Sequence, residues 1–364
     1  MTKYELGNIL IYEQPTKYIV KSENYDDAFA TPVLTPGQTF ILGYTNETDG
    51  IYSAPLPVII FDDFTTATKL VNFPFKVKSS AMKILKPASD KVYIPYWYYY
   101  LSSLKVDNGL HKRYWISTFA NRQISAPSFP EQKRIATLLD KVQELIAKQK
   151  EQIAKLDLLI KSRFLDMFGD PISNPKKWVM KKLKECARTN LSYGSGAKAV
   201  NYNGTVRYIR ITDIDNQGLL NKEKKSPSIF EEKYLLHPGD LLFARTGATV
   251  GKTFLYDKKY GMSVYAGYLI RFVPKIDLCH PLFVFYFTHT DYYKQFVLDK
   301  QKAVAQPNIN AQEYGELLIP LPPLSLQTQF TNFVKSVEQQ KEVFSTRLSH
   351  FETLYKSLMQ EYFG

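Results

Sequence analysis

Two long stretches without helix breakers repeat each other within this chain, and that repeat limits what it can fold into more than any other feature. Residues 130–169 and 325–364 contain no Pro or Gly before their last residue, apart from the opening Pro130. At an offset of 195 residues they align without a gap, setting Pro127 on Pro322, Gln132 on Gln327, Val142 on Val337 and Leu159 on Leu354. Lys161-Ser162 then falls on Lys356-Ser357 and Phe168-Gly169 on Phe363-Gly364, with apolar character kept at Ile135/Phe330, Leu138/Phe333 and Leu139/Val334. Apolar residues three and four apart, with Lys, Glu and Gln between them, specify an amphipathic helix. Pro130 stands where an N1 proline belongs, and Gly169-Asp170-Pro171 is a helix stop. A helix of about 38 residues is about 57 Å long, so two of them can lie side by side as an antiparallel spacer. On this reading Leu139 and Leu354 are core positions of the helical pair.

The remaining segments have a different texture, with short β-branched and aromatic runs broken by Gly, Pro and Asn. Leu56-Pro57-Val58-Ile59-Ile60-Phe61, Arg207-Tyr208-Ile209-Arg210-Ile211, Asp240-Leu241-Leu242-Phe243-Ala244 and Tyr268-Leu269-Ile270-Arg271-Phe272-Val273 read as strands. The aromatic runs 96–101 and 281–287 follow prolines and read as helices with their rings in a core. The expected fold class is α/β (α+β): a mixed domain over 1–126, a spacer helix over 127–171, a second mixed domain over 172–321 and a second spacer helix over 322–364. The helices are expected to pack as an antiparallel coiled coil, with the halves related by pseudo-two-fold symmetry.

Charge narrows the partner. Lys and Arg number 47 against 35 Asp and Glu, a formal net charge of +12, which favours a polyanion, with nucleic acid first and an acidic membrane surface second. Cys186 and Cys279 are the only cysteines, too few for a disulfide framework and without zinc spacing, which points to a reduced, cytoplasmic setting. No run approaches 18 apolar residues, so a membrane-spanning role is not expected.

Catalytic motifs fail one by one. Gly247-Ala248-Thr249-Val250-Gly251-Lys252-Thr253 invites a P-loop reading, but a P-loop needs four residues between its glycines and this has three. A turn between strands is the plainer reading. Asn174-Pro175-Lys176-Lys177-Trp178 lacks the second proline of an adenine-methyltransferase loop, and Gly194-Ser195-Gly196 lacks the third glycine of a dinucleotide fingerprint. Cys279-His280 with His289 is the nearest approach to a metal cluster, and Asp62-Asp63 lacks the Glu-x-Lys continuation of a nuclease pair. Catalytic, cofactor and metal sites are therefore expected to be absent.

The motif order resembles the DNA-specificity subunits of type I restriction-modification systems. Gly239-Asp240-Leu241-Leu242-Phe243-Ala244-Arg245-Thr246-Gly247 through Lys252 is similar to a recurrent strand-turn signature of that family's target-recognition domains. Gln306-Pro307-Asn308-Ile309-Asn310 follows, and Pro320-Leu321-Pro322-Pro323 leads through Gln327 into the helix, also as in the family. In the first segment, Val58 to Thr66 and Pro74 to Ala81 resemble another variety of the same domain, and Pro130-Glu131-Gln132 opens the helix. Trp178 matches the tryptophan that the family places ahead of such a domain; the first domain has no counterpart of it.

The resemblance implies a non-catalytic subunit with two target-recognition domains, each reading half of a bipartite double-stranded DNA sequence. It also implies adenine-specific methyltransferase subunits, two of them, and a translocating restriction endonuclease subunit as partners. Basic and polar loop residues are the candidate DNA contacts. In the first domain these are Tyr44, Thr45, Thr65, Thr66, Lys69, Lys76, Lys78, Lys112, Arg113 and Arg122. In the second they are Ser195, Lys198, Arg207, Arg210, Lys224, Lys225, Arg245, Thr246 and Lys252. The alternatives are a stand-alone DNA-binding scaffold and a nuclease or NTPase with an unrecognised site.

Overall fold

The computed structural model describes residues 3–37, 39–104, 113–302 and 308–364. The chain divides into two units, Met1–Lys150 with Thr346–Gly364, and Glu151–Ser345.

The strands of the first unit are β1 (Lys3–Glu5), β2 (Leu10–Glu13), β3 (Thr31–Leu34), β4 (Ile41–Thr45), β5 (Val58–Asp62), β6 (Thr68–Val71), β7 (Lys76–Val77) and β8 (Met82–Pro87). Helix α1 (Ile94–Ser103) and β9 (Gln123–Ser125) then lead into α2 (Phe129–Phe168). An antiparallel sheet has the order β2-β8-β5-β6, β3 lies between antiparallel β4 and parallel β7, and β1 pairs with β9. Every residue of β5 is buried, which is why its sequence is an unbroken apolar run and not an alternating one. Ile59 and Phe61 face Trp97, Trp115 and Phe119 on one side, while Val58 and Ile60 face Tyr52 and Phe75 on the other.

One polar side chain fixes α2 to this domain. Buried Gln132 accepts hydrogen bonds at Oε1 from Tyr93 N (2.9 Å) and Trp97 Nε1 (3.2 Å), and Nε2 donates to Pro127 O (2.9 Å) and Lys91 O (3.3 Å). The end of a second long helix, α6 (Leu324–Phe363), completes the unit. Gln143 Nε2 donates to Tyr355 Oη (2.9 Å), Arg134 to Tyr362 Oη (3.5 Å), and Lys150 pairs with Glu352 (3.3 Å). Position numbers rise along one helix as they fall along the other, so the contact is antiparallel.

The second unit contains β10 (Val179–Lys182), β11 (Ser192–Tyr193), β12 (Ala199–Asn201), β13 (Arg207–Ile209), β14 (Lys225–Pro227), β15 (Leu241–Ala244), β16 (Thr253–Leu255), β17 (Ser263–Tyr265) and β18 (Leu269–Phe272). Helices α3 (Pro281–Phe287), α4 (Asp291–Lys302) and α5 (Ala311–Gly315) follow, then β19 (Leu318–Leu321) and α6 (Leu324–Phe363). The sheet β11-β18-β15-β16 has the antiparallel order of β2-β8-β5-β6; parallel β13 and β17 match β3 and β7, and β10–β19 matches β1–β9. The repeat therefore extends through the globular segments. Gln327 does for α6 what Gln132 does for α2, accepting from His280 N (2.8 Å) and donating to Pro322 O (2.9 Å) and Leu278 O (3.0 Å). Within this unit α2 and α6 again meet antiparallel, through Asp157–Lys341 (2.6 Å) and the edge-to-face rings of Phe164 and Phe330 (5.5 Å). Trp178 Nε1 donates to the last α2 carbonyl, Phe168 O (2.8 Å), and Gly169 turns the chain at φ +79°.

The mixed α+β class, the two 40-residue helices and the helical aromatic runs all agree with the sequence reading. Leu139 is fully buried, but Leu354 is 44% exposed and is not a core position. The 207–211 strand stops at Ile209, because Asp213 accepts hydrogen bonds from Arg210 N (2.9 Å) and the Arg210 guanidinium and folds Ile211–Asp213 into a 3-10 turn.

Candidate nucleic-acid interface

Strand register identifies equivalent positions in the two globular segments. Ile59 opposite Leu85 corresponds to Leu241 opposite Phe272, and counting along the strands puts Phe61 with Phe243 and Asp63 with Arg245. A backbone bond confirms the match, since Asp63 O accepts from Tyr114 N (3.0 Å) and Arg245 O from Ile309 N (2.9 Å), and these donors are themselves one repeat apart.

In the second unit this strand end gathers residues from distant parts of the sequence. The Arg245 guanidinium lies over the Tyr193 ring, 4.7 Å from its centroid, and Nε donates to Asn308 Oδ1 (3.2 Å). Tyr193 Oη in turn accepts from Ala311 N (3.0 Å), and Arg245 N donates to Tyr268 O (3.1 Å). Tyr193 and Tyr268 are both exposed. Among the described residues no carboxylate pairs with Arg245. Thr246 is half-buried beside it and bridges Asn308, followed by the 3-10 turn Gly247–Thr249. This turn joins antiparallel β15 to β16, so the glycine-rich segment is a hairpin connection with no following helix. Gly251, at φ +86°, sits against Val297 with no space for a Cβ.

The other candidates of this unit divide by exposure. Lys198 and Lys224 are exposed, the latter over the Tyr202 ring (5.3 Å). Half-buried Lys225 pairs with Glu223 (3.1 Å), and Lys252 Nζ donates to Ile214 O (3.1 Å). Arg210 is held by Asp213 (2.6 Å). Ser195 and Arg207 are buried: Ser195 Oγ accepts from Ala197 N (3.1 Å) and Arg207 donates to Asn221 O (2.8 Å). Neither can meet a ligand in this conformation.

In the first unit, Asp62 accepts from Phe64 N (2.9 Å) and so shapes the β5–β6 turn, where Phe64 and Thr65 are exposed and Thr66 adopts φ +63°. Asp63 is buried, accepting from Trp115 N (2.8 Å) and pairing with Lys83 (3.4 Å). The acid pair is thus spent on structure. Lys69, Arg113 and Arg122 are exposed. Lys76 and Thr45 are not surface contacts as expected: both are buried, each at 1% exposure, and serve the fold. Lys76 Nζ pairs with Glu47 (2.9 Å) and donates to Asp49 O (2.7 Å), while Thr45 Oγ1 accepts from Glu47 N (3.2 Å). Burial pushes the Glu47 carboxyl up, but Lys76 and the amides of Ser22 and Lys21 outweigh it and hold the group below its ordinary value. Lys78 pairs with Glu23, and half-buried Tyr44 lies in β4. Lys112 lies outside the described residues.

Sequence reasoning missed Tyr193, Tyr268 and Asn308. The signal was an exposed-type aromatic beside glycine, in Tyr193-Gly194 and Gly267-Tyr268, but only sheet pairing brings these turns to Arg245. Among the described residues no group of three His, Cys, Asp or Glu side chains could hold a metal. His280 caps α3 by accepting from Leu282 N (3.2 Å), and Cys279 packs in the core with Sγ 3.6 Å from Cys186 O. No helix among the described residues is long and apolar enough to cross a membrane.

Comparison with known proteins places these features. Residues 175–349 match the family described as the type I restriction modification DNA specificity domain. The chain is 39% identical over 269 residues to the EcoR124I/EcoR124II type I restriction enzyme specificity subunit of Escherichia coli, covering 70% of this chain and 64% of that protein. It is 25% identical over 266 residues to the MjaVIII type I specificity subunit of Methanocaldococcus jannaschii, covering 66% and 61%. The matched part is thus under two thirds of the length of these curated relatives. A crystal structure of a type I restriction-modification S subunit from M. genitalium superposes with a TM-score of 0.68 at 14% identity, covering 98% of this chain and 94% of that one. A chain from a structure of type I R-M complex assembly and conformational transition gives 0.57 at 18% identity, covering 100% and 97%. These two likenesses are of fold.

Proposed function

Given that the chain belongs to the specificity-subunit family of type I restriction-modification systems, we propose that it is the non-catalytic part of a methyltransferase and endonuclease complex and reads a bipartite double-stranded DNA target. In this reading the domain over 1–126 takes one half-site and that over 172–321 the other. The helical segments 127–171 and 322–364 set the spacing and dock two adenine methyltransferase subunits, with a translocating restriction subunit joining them. Most contacts go to phosphates and fix register, and a minority reach base edges. Of the candidate residues, the reading retains those open to a ligand: Tyr44, Thr65, Thr66, Lys69, Arg113 and Arg122 in one domain, and Lys198, Lys224, Arg245 and Thr246 in the other.

The observation that carries this proposal is one strand topology used twice with unlike residues at equivalent strand ends. Two copies of a single frame with different tips suit a protein that must recognise two different short sequences at a set separation. A base-resolution map of adenine methylation in the native host, with and without the gene, tests it. Loss of methylation at one bipartite motif is the expected result; an unchanged map in a host that carries the methyltransferase subunits refutes it.

A further inference from the structure

We infer that Arg245 reads a guanine in the half-site of the second domain, and that Tyr193 and Asn308 are the positioning residues that aim it. This rests on the DNA-reading role proposed above. A guanidinium forms two parallel hydrogen bonds with the O6 and N7 acceptors of guanine in the major groove, which requires its plane and its Nη edge to be fixed beforehand. Each requirement is met by a separate contact. Stacking on Tyr193 at 4.7 Å sets the plane, and the Nε bond to Asn308 at 3.2 Å sets the rotation within it. The Tyr193 ring is itself tethered, through its hydroxyl, to Ala311 N. Nη1 and Nη2 make no hydrogen bond or ion pair among the described residues, so the fork that would meet a base edge is the part left open.

The surroundings favour a base over a phosphate. A phosphate contact is served by an exposed point charge such as Lys198, whereas Arg245 is half-buried, its side chain braced by Tyr193 and Asn308 and its backbone by Tyr268. Two residues on, a Cβ added at Gly247 would meet nothing within 4 Å, so the turn that follows Arg245 does not crowd it. The equivalent position of the first domain, Asp63, is buried and paired, so the inference is confined to one half-site.

The test uses the full chain with its methyltransferase partner, mapping methylation at base resolution for the wild type, Arg245→Ala, Arg245→Lys and Arg245→Gln. With Arg245→Ala and Arg245→Lys, one G·C position in a single half of the motif should become degenerate, losing about tenfold or more of its preference. Arg245→Gln should move that position toward adenine, which a glutamine amide pairs with bidentately. The other half-site and the spacer should not change, and their persistence shows that each variant is folded and assembled. Asn308→Ala should relax the same position more weakly. An unaltered motif with uniformly weaker methylation, and a salt dependence reduced by about one phosphate contact, would overturn the inference. A wild-type chain that supports no bipartite motif would instead overturn the DNA-reading role itself.

Discussion

Asp63 and Arg245 occupy the same place in two copies of one sheet, and the two units put that place to opposite uses. Each residue leaves the third strand in the order of its sheet, β5 in one unit and β15 in the other, and their carbonyls accept from two amides, Tyr114 N and Ile309 N, that are one repeat apart. In the first unit the side chain turns inward, where Asp63 joins Lys83 and Trp115 N in a buried polar knot. In the second it turns toward the surface and stacks on an exposed tyrosine. The difference teaches that backbone pairing and the two glutamine anchors preserve the frame, while the residue that caps the strand is free to become either core or contact surface.

The strongest way to break this comparison is to truncate both residues. Asp63→Ala leaves the Lys83 ammonium buried without its partner and should cost about 3–5 kcal/mol in chemical denaturation. Arg245→Ala should cost less than about 1 kcal/mol, since its partners can be hydrated. Equal costs would mean that Arg245 is also part of the core. Next in size are the anchors. Gln132→Ala and Gln327→Ala each strand buried backbone groups and should each cost about 2–3 kcal/mol, and a difference larger than about 1 kcal/mol would show that the frames are not equivalent.

Acid should also separate the units. Burial raises the pKa of Glu13, but Lys17, Lys86 and Tyr18 outweigh this and bring it down to about 2 from an ordinary 4.5. A carboxyl depressed in the folded state stabilises above its unfolded value and loses that contribution as pH falls from about 4.5 toward 2. Glu316 in the second unit is depressed to about 2 by exposed Lys182 and Lys184. The melting temperature of Glu13→Gln should therefore be less sensitive to acid than that of the wild type even at high salt, whereas Glu316→Gln should differ from the wild type only at low salt. The smallest effect is expected at Leu354. Its exposure means that Leu354→Asp should change stability by no more than about 0.5 kcal/mol, whereas Leu139→Asp should leave little folded protein.

The helices were legible because a 3.6-residue pattern over 40 positions cannot be mistaken, and because Gln132 and Gln327 must recur where the same bonds recur. Leu354 misled the reading, since apolar residues on a paired helix also fall on its outer flank. That the two domains are varieties of one was legible, but the individual strand pairings were not, because strands buried on both faces, such as β5 and β15, accept any apolar residue and keep no sequence identity. Among the candidate contacts, Lys76 and Arg207 look like surface charges in the sequence; the partners that bury them lie 27 and 14 residues away. Tyr193 escaped notice for a related reason, because only pairing of β11 with β18 brings it beside the end of β15.

The central claim is that each globular domain reads one half of the target independently. Exchanging residues 172–321 for the second recognition domain of a specificity subunit with a different target, and mapping methylation in the same host, tests it most directly. The account predicts that one half of the motif is replaced while the other half and the spacer length persist. A motif changed in both halves, or in neither, would contradict it.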